Sequence, residues 1–291
     1  MKPTPVGNAY EHLIAELTPR YGAGEARSIA RIVFEDVFET RNPSNVQLNA
    51  DQEKRFLDIR DRLISGEPLQ YILGQADFFG LKFNVTPAVL IPRQETEELV
   101  AWALDWLKKN GMQSPKALDV GLGSGCIGIT LQAKFRALQL FGIEKSPEAL
   151  AIATENAESL LGEKPWHFVC ADITDPAAWH NFPGLDLIIS NPPYIPISEK
   201  KLIPEHVLEH EPTLALFVDD ADPLLFYRVV AQFALQKLNP GGALFFECNE
   251  FNATDVVALL GQMGFAVELR PDLSGADRMV TARILNGQRP N

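Results

Sequence analysis

The chain has 291 residues, of which 46% are apolar, and a formal net charge of -12 at pH 7. This acidity disfavours a protein whose affinity comes from wrapping nucleic-acid phosphates, because that kind of binding needs clustered lysine and arginine. We find no apolar run of about 18 residues and no signal-peptide pattern in residues 1–7, and the three isolated cysteines fit a reducing compartment, so we expect a cytoplasmic protein that contacts no membrane.

Residues 8 to 66 carry three apolar patterns with helical spacing, each of which predicts a short amphipathic helix. The patterns are Tyr10, Leu13, Ile14 and Leu17; Val33, Phe34, Val37 and Phe38; and Phe56, Ile59 and Leu63. Asn49 followed by Gln52 is typical of a capping box for the third helix, and Gly66 and Pro68 are stop signals. We therefore expect a small N-terminal helical bundle over residues 1–74.

Residues 75–95 are predicted to be a hairpin around Gly80 followed by a proline-flanked linker, and a helix is expected from about Thr96 to Lys109. Beyond this helix, apolar runs alternate with helical patterns. Strands are predicted at 117–120, 138–143, 166–170, 185–190 and 242–248, helices at 126–136, 147–160, 223–238 and 252–263, and closing strands at 266–270 and 278–285. This alternation predicts an α/β fold over 96–291 with a mainly parallel, doubly wound sheet.

A glycine loop follows the first strand of this sheet and leads directly into a helix. Its residues are Gly121, Leu122, Gly123, Ser124 and Gly125. Glycines let the backbone turn sharply and let a ligand approach the amides at the helix N-terminus. The G-x-G-x-x-G match from Gly123 to Gly128 fits NAD and S-adenosylmethionine equally.

Three carboxylates near the loop bear on the choice of cofactor. Asp119 would repel an NAD pyrophosphate and can order the loop and the ammonium of a methionine moiety, so it favours S-adenosylmethionine. Glu144 ends the second strand and can accept from both ribose hydroxyls of either cofactor. Asp172 can accept from an adenine amino group with Ile173 packed on the ring, although a turn aspartate explains it equally well.

The strand at 185–190 ends in Asn191, Pro192, Pro193 and Tyr194, at the sheet edge where ligands of open α/β sheets bind. An amide nitrogen is a weak nucleophile, because its lone pair is delocalised, so an enzyme must hold its two hydrogens with two acceptors. The Asn191 side-chain oxygen and the Pro192 carbonyl suit this task, and Tyr194 offers a stacking face. We predict methyl transfer to an amide or amino nitrogen by orientation, with no metal.

Two other features are assigned no chemistry. His206 and His210 lie four residues apart but have no evident third ligand, so a solvated helix face explains them better than a zinc site. Cys126 opens the helix after the glycine loop, and we interpret it as a small packing residue under the cofactor rather than as a nucleophile.

Several longer segments are similar to one known family, and the similarity spans nearly the whole chain. They are residues 66–74, 90–97 and 191–195, Glu211-Pro212-x-x-Ala215-Leu216, and Asp272-Leu273-x-Gly275-x-Asp277-Arg278. These segments resemble the protein-(glutamine-N5) methyltransferases that modify peptide chain release factors. The resemblance implies a Rossmann-like class I S-adenosylmethionine methyltransferase domain that follows the helical bundle along the chain.

The resemblance also implies the substrate, the glutamine of the Gly-Gly-Gln motif of class 1 release factors. The family's cofactor positions fall on Gly121–Gly125, Glu144, Ile173 and Asn191, and its substrate-amide clamp falls on Asn191–Tyr194. This chain departs from the usual pattern at Leu122, Glu144, Ile173 and Cys248-Asn249. We expect these departures to alter adenosine contacts and not the reaction class. The helical bundle carries no evident chemistry, so we expect it to bind the release factor, and we expect a monomer.

Three alternatives remain at this point. An adenine-N6 nucleic-acid methyltransferase would use the same tetrapeptide on a flipped base, but it needs a basic recognition region. A methyltransferase for a ribosomal-protein glutamine shares the clamp, although Pro92-Arg93-x-x-Thr96-Glu97 favours the release-factor branch. A nucleoside-binding protein without catalysis is the third, and the intact clamp argues against it.

Overall fold

The computed structural model describes residues 9–43, 46–163 and 165–285. The described residues divide into two compact units, one that ends at Gly74 and one that begins at Gln75. The N-terminal segment in which we predict no signal peptide lies outside the described residues, as do the outer ends of the first and last predicted domains. No helix within the described ranges combines the length and the apolar content that crossing a membrane requires.

The first unit is helical. It contains α1 (Ala9–Asp36), α2 (Ala50–Ser65) and α3 (Leu69–Leu73). Two of the predicted helices are joined end to end in α1, and Gly22 breaks the helical backbone between them with φ 77° and ψ 160°. The predicted capping box is confirmed, because the side chains of Asn49 and Gln52 each accept from the other's backbone N–H at 3.0 Å. Gly66 ends α2 in the left-handed conformation.

The second unit opens with the predicted hairpin and continues as alternating strands and helices. Its strands are β1 (Gln75–Phe78), β2 (Leu81–Asn84), β3 (Lys116–Val120), β4 (Gln139–Glu144), β5 (Trp166–Cys170), β6 (Leu185–Ser190), β7 (Ile195–Pro196), β8 (Phe217–Val218), β9 (Leu238–Glu247), β10 (Phe265–Pro271) and β11 (Asp277–Ile284). Its α-helices are α4 (Gln94–Lys109), α5 (Cys126–Lys134), α6 (Pro147–Leu161), α7 (Glu205–His210), α8 (Thr213–Leu216), α9 (Leu225–Lys237) and α10 (Ala253–Gln262).

The main sheet has the strand order β10-β11-β9-β6-β3-β4-β5. The strands from β9 to β5 pair in parallel, and β11 pairs antiparallel with both β9 and β10. From β3 the chain first builds outward through β4 and β5 and then returns to add β6 and β9 on the other side. The predicted doubly wound sheet is thus confirmed, and its switch point lies between β3 and β6, where such sheets bind ligands.

The central strands are buried on both faces, which explains why they read as nearly continuous apolar runs. Leu118, Ile188 and Leu244 face a core that contains α9 and α10 residues. Neighbouring positions such as Leu187 and Phe245 face a second core with α4 and α5 residues.

The structure differs from the sequence prediction mainly in short elements. β9 begins at Leu238 and not at 242, because Leu238 pairs with Leu185 before a register irregularity. Two 3-10 helices, Pro176–Asn181 and Ile197–Leu202, were not predicted, and neither were β7, β8 and α8. Elements of two to six residues are too short to show a helical or strand period.

Candidate active site

A cavity of about 380 Å³ opens at the carboxyl ends of the central strands, within the size range of small-molecule sites. Each of four strands contributes to its wall through the residues that follow it. From the predicted site the wall includes Gly121, Leu122, Gly123, Glu144, Asp172, Ile173, Asn191, Pro192 and Pro193. The fold therefore brings most of the predicted cofactor residues to one place.

The glycine loop has a backbone that side chains would strain. Gly121, Gly123 and Gly125 have φ values of 77°, 54° and 78°, all in the left-handed region. A Cβ at Gly125 would lie 2.6 Å from the Ile129 side chain. A Cβ built at Gly121 or Gly123 would meet no described atom within 4 Å beyond the glycine itself and its two chain neighbours. The loop thus leaves open space on its cavity side, as close approach of a ligand requires.

Glu144 connects the loop to β4. One carboxylate oxygen accepts from the Gly123 N–H and the other from the Ser146 N–H, both at 2.9 Å. Each oxygen of a carboxylate keeps a second lone pair. Glu144 therefore fixes the loop and still has acceptor capacity for ligand hydroxyls at the cavity wall.

Asp119, Ser124 and Gly125 lie behind the cavity wall and not in it. Asp119 is fully buried and accepts from the Gly128 N–H at 2.8 Å, so it holds the first turn of α5. Burial raises the pKa of Asp119 to about 8. The predicted contacts of these three residues with a cofactor stay predictions.

Asp172 forms the turn that the sequence left open as an alternative. One of its carboxylate oxygens accepts from the Thr174 N–H at 2.8 Å and from the Thr174 hydroxyl at 2.7 Å, and the other lies 2.9 Å from Lys145 Nζ. Burial opposes ionisation of Asp172, but these hydrogen bonds lower its pKa overall. Ile173 is buried in the cavity wall beside it, where an apolar ring surface can pack.

The Asn191–Tyr194 segment lies where two cavities share a wall. Asn191 and Pro192 line the large cavity and also a second one of about 190 Å³, which Tyr194 lines as well. Ser190 ties the segment's base to β3 by donating to the Val120 carbonyl at 2.8 Å. Burial raises the pKa of the Tyr194 phenol to about 12, so the ring is neutral at physiological pH.

An ion pair stabilises a second part of the wall that the two cavities share. Leu90 and Arg93 line both cavities. The Arg93 guanidinium lies 2.6 Å from the buried Glu211 carboxylate, which also accepts from the Ile91 N–H at 3.3 Å. This contact joins two of the segments on which the family resemblance rests.

The structure adds two residues for which the sequence suggested no role. Asn191 Nδ2 donates to Thr96 Oγ1 at 3.3 Å, and this hydroxyl donates to Glu247 Oε2 at 2.6 Å. Thr96 stood inside a family-like segment, and Glu247 ends the apolar strand β9. A carboxylate at the end of an otherwise apolar strand was the sequence signal that could have pointed to Glu247.

The features that were set aside lie as follows. Cys126 lines the large cavity, and burial raises its pKa to about 12, so the thiol stays protonated there. His206 and His210 lie on the short helix α7. Within the described part of the chain, no three histidine, cysteine or acidic side chains are grouped as metal ligands.

The strand order, the antiparallel β11 and the glycine loop above the cavity define a Rossmann-like class I methyltransferase domain. Residues 98–210 match the model of the methyltransferase small domain, and residues 8–74 match that of the PrmC N-terminal domain. The catalytic domain of hMettl16, solved with the MAT2A 3'UTR hairpin 6, matches 84% of this chain and 89% of its own at 16% identity with a TM-score of 0.54. This likeness concerns the fold alone.

Curated relatives narrow the class to a family. Release factor glutamine methyltransferase from Flavobacterium psychrophilum is 44% identical over 74% of this chain and 74% of its own. The enzymes of that name from Bacteroides thetaiotaomicron and Deinococcus radiodurans are 38% and 33% identical over 85% and 94% of this chain, and over 87% and 96% of their own. The chain belongs to the release factor glutamine methyltransferase family.

Proposed function

We propose that this protein transfers a methyl group from S-adenosylmethionine to the side-chain amide nitrogen (N5) of the glutamine in the Gly-Gly-Gln motif of class 1 release factors. Family membership supports the substrate. The observation that carries the chemistry is that Asn191 and Pro192 line both cavities. A group held by this segment in the small cavity faces a donor in the large one.

The large cavity fits S-adenosylmethionine. Its glycine loop leaves open space, Glu144 presents a carboxylate for ribose hydroxyls, and Ile173 presents an apolar surface for the adenine. We propose Gly121–Gly123, Glu144 and Ile173 as its main contacts. When bound, this cofactor supplies an electrophilic methyl group on a sulfonium, and S-adenosylhomocysteine is the product.

The small cavity receives the glutamine side chain. The Asn191 Oδ1 and the Pro192 carbonyl accept the two amide hydrogens, which turns the nitrogen lone pair toward the large cavity. Tyr194 packs against the planar amide as a neutral ring. These groups act by orientation, the contribution expected when the nucleophile is weak and the electrophile is already activated.

The N-terminal unit is proposed to bind the release factor. On α2, Leu57 and Ile64 are seven residues apart on one helix face and are 39% and 44% exposed. Replacing both by aspartate should raise the KM for release factor at least tenfold, because an apolar contact surface becomes charged. The affinity for S-adenosylmethionine should not change, and an unchanged KM would refute this role for the surface.

We propose that the chain works as a cytoplasmic monomer without nucleic-acid contact.

The direct test offers three substrates to the protein with labelled S-adenosylmethionine: a class 1 release factor, ribosomal proteins and DNA. We expect one methyl group on the Gly-Gly-Gln glutamine. A release factor with glutamate at that position is the matched control and should stay unlabelled. Label in DNA or in ribosomal protein would overturn the proposed substrate.

The clamp is tested by Asn191→Ala, which removes the acceptor that orients the nucleophile. We expect kcat to fall by more than about 100-fold, a size typical of a lost orientation, while cofactor affinity changes little. Asn181→Ala, at an exposed asparagine whose amide donates to the Ala178 carbonyl, is the control and should keep full activity. Equal turnover in the two variants would exclude the clamp.

A further inference from the structure

A buried hydrogen-bond chain adjoins the amide clamp, and its middle residue, Thr96, lines the large cavity. It runs from Asn191 Nδ2 to Thr96 Oγ1 at 3.3 Å and from that hydroxyl to Glu247 Oε2 at 2.6 Å. We propose that Thr96 and Glu247 are positioning residues that hold the Asn191 amide in one of its two orientations, with its NH2 group turned to Thr96 and its oxygen left for the substrate. This inference rests on the proposed function.

The fold brings the three residues together from distant parts of the chain. Ser190 and Phe246 are partners in the parallel β6–β9 pair, so the residues that follow them, Asn191 and Glu247, emerge side by side at the carboxyl edge. Thr96 lies in the first turn of α4. Thr96 and Glu247 are 3% and 2% exposed, so bulk water does not compete for these hydrogen bonds.

The direction of the chain follows from the proton count. A carboxylate only accepts, so the single proton of the Thr96 hydroxyl must point to Glu247. Thr96 can then only accept from Asn191, and the sole donor of that side chain is its NH2 group. The two ends of an asparagine amide are almost identical in shape. The Glu247 carboxylate, to which both Thr96 and Asn191 hydrogen-bond, therefore selects which end faces the cavities.

The surroundings of Glu247 keep its ionised form accessible. Burial raises its pKa to about 7, while hydrogen bonds from Thr96 and Asn191 and the positive charge of Arg278 oppose this rise, and Glu95 adds to it. The Tyr227 hydroxyl donates to the Glu247 backbone carbonyl at 3.3 Å. Other titratable groups that interact with it are Tyr194, Tyr227, Cys248 and Cys126.

The selected orientation matters because the substrate is itself an NH2 group. An inverted Asn191 would present two donor hydrogens to the hydrogens of the glutamine amide, which would lose one acceptor and repel the nitrogen from the productive position. The hydrogen-bond chain therefore supports turnover and contributes little to holding the cofactor or the protein substrate.

Thr96→Val removes the hydroxyl at constant shape and is the main test. We expect kcat to fall about 10- to 100-fold, the size of effect that a misplaced reacting group produces, with less than about 3-fold change in KM and in cofactor affinity. Thr96→Ser keeps the hydroxyl and should restore most of the rate. Glu247→Gln should also lower kcat, because glutamine can donate to Thr96 and so no longer fixes the direction of the chain.

Thr281→Val is the matched control. Thr281 is another buried threonine, 6% exposed, which lies in β11, and its hydroxyl donates to the Leu244 carbonyl at 3.2 Å, away from the clamp. It should lower the melting temperature by an amount similar to Thr96→Val and leave kcat unchanged. A kcat loss as large as that of Thr96→Val would mean that loss of a buried hydroxyl, and not amide orientation, slows turnover.

Two measurements separate this inference from the proposed function. Adding Thr96→Val to Asn191→Ala should lower kcat by less than about a further 2-fold, because the hydrogen-bond chain acts only through Asn191. The NMR signals of the Asn191 side-chain NH2 group, assigned from their absence in Asn191→Ala, should move in Thr96→Val and return in Thr96→Ser whether or not release factor is methylated. Unmoved signals, or kcat losses that multiply in the double variant, would overturn the proposed role of the hydrogen-bond chain. Absence of release-factor methylation by the wild type would overturn only the proposed function.

Discussion

Asn156 provides a test of how the glycine loop is held in place. This buried side chain in α6 accepts from the Asn84 N–H at 2.7 Å and donates to the Asn84 carbonyl at 3.0 Å and to the Ser124 carbonyl at 2.9 Å. It is 1% exposed and joins the β1–β2 hairpin to the loop above the large cavity. The predicted perturbation is Asn156→Ala.

The expected cost follows from the three lost partners. The Ser124 contact is buried, and a buried carbonyl left without a partner costs about 1–3 kcal/mol, while each of the two half-buried bonds to Asn84 contributes about 0.5–1.5 kcal/mol. We therefore expect the free energy of unfolding to fall by about 3 kcal/mol. For a domain of this size, this corresponds to a loss of roughly 6–12 °C in Tm.

The same variant should weaken cofactor binding, because the loop must then be ordered at the moment of binding. An ordering cost of about 1 kcal/mol corresponds to about a fivefold rise in Kd for S-adenosylmethionine. Urea unfolding and calorimetric titration measure the two effects. Asn84→Ala is the matched control, because Asn156 contacts only the main chain of Asn84. Equal stabilities of the two variants would refute the argument.

Three further predictions concern other parts of the site. Gly125→Ala should lower the free energy of unfolding in urea by about 2–3 kcal/mol, and Gly123→Ala should lower it by only about 1 kcal/mol. Both positions need a left-handed backbone, but only at Gly125 would the added Cβ meet a neighbouring side chain, that of Ile129. Equal losses in the two variants would contradict this. Between pH 5 and 8 the free energy of unfolding of the wild type should fall by up to about 3 kcal/mol relative to that of Glu247→Gln. The folded-state pKa of Glu247 is raised to about 7 from 4.5, so the stability that the protonated side chain provides is lost as pH rises through 7. Urea unfolding at each pH measures this, and an equal change in both proteins would exclude it. Arg93→Met should lower Tm more than the double change Arg93→Met with Glu211→Gln, because the single change leaves a buried carboxylate unpaired; the reverse order would show that the ion pair is dispensable.

The fold could be predicted from the sequence largely because of burial. Strands such as β6, covered on both faces, appear as nearly continuous apolar runs, and the predicted boundaries of β6 agree with the structure. The capping box of α2 was recognisable because it depends on residues three positions apart. The short elements between 176 and 218 depend on tertiary contacts, for example the pairing of Ile195 with Phe217, and leave no periodic signal.

The site was predictable where strand ends alone define it. Glu144 ends one parallel strand, Ile173 and Asn191 follow two others, and the carboxyl ends of such strands meet at one edge. Asp119 lies inside its strand rather than after it, and its carboxylate turns to the Gly128 N–H behind the wall. No local rule joins Thr96 to Glu247, because 151 residues separate them and only the packing of α4 against β9 creates the contact.

Glu247 shows why such a contact is informative once it is seen. Burial makes its ionised form unfavourable in the folded protein, which is what the raised pKa expresses. A neutral glutamine at this position should therefore make the protein more stable at pH 8. The proposed role of the hydrogen-bond chain predicts that the same change lowers kcat. A purely structural carboxylate would show the opposite pair of effects on replacement, lower stability with unchanged turnover. Measuring both quantities in one variant thus distinguishes a residue retained for orientation from one retained for folding.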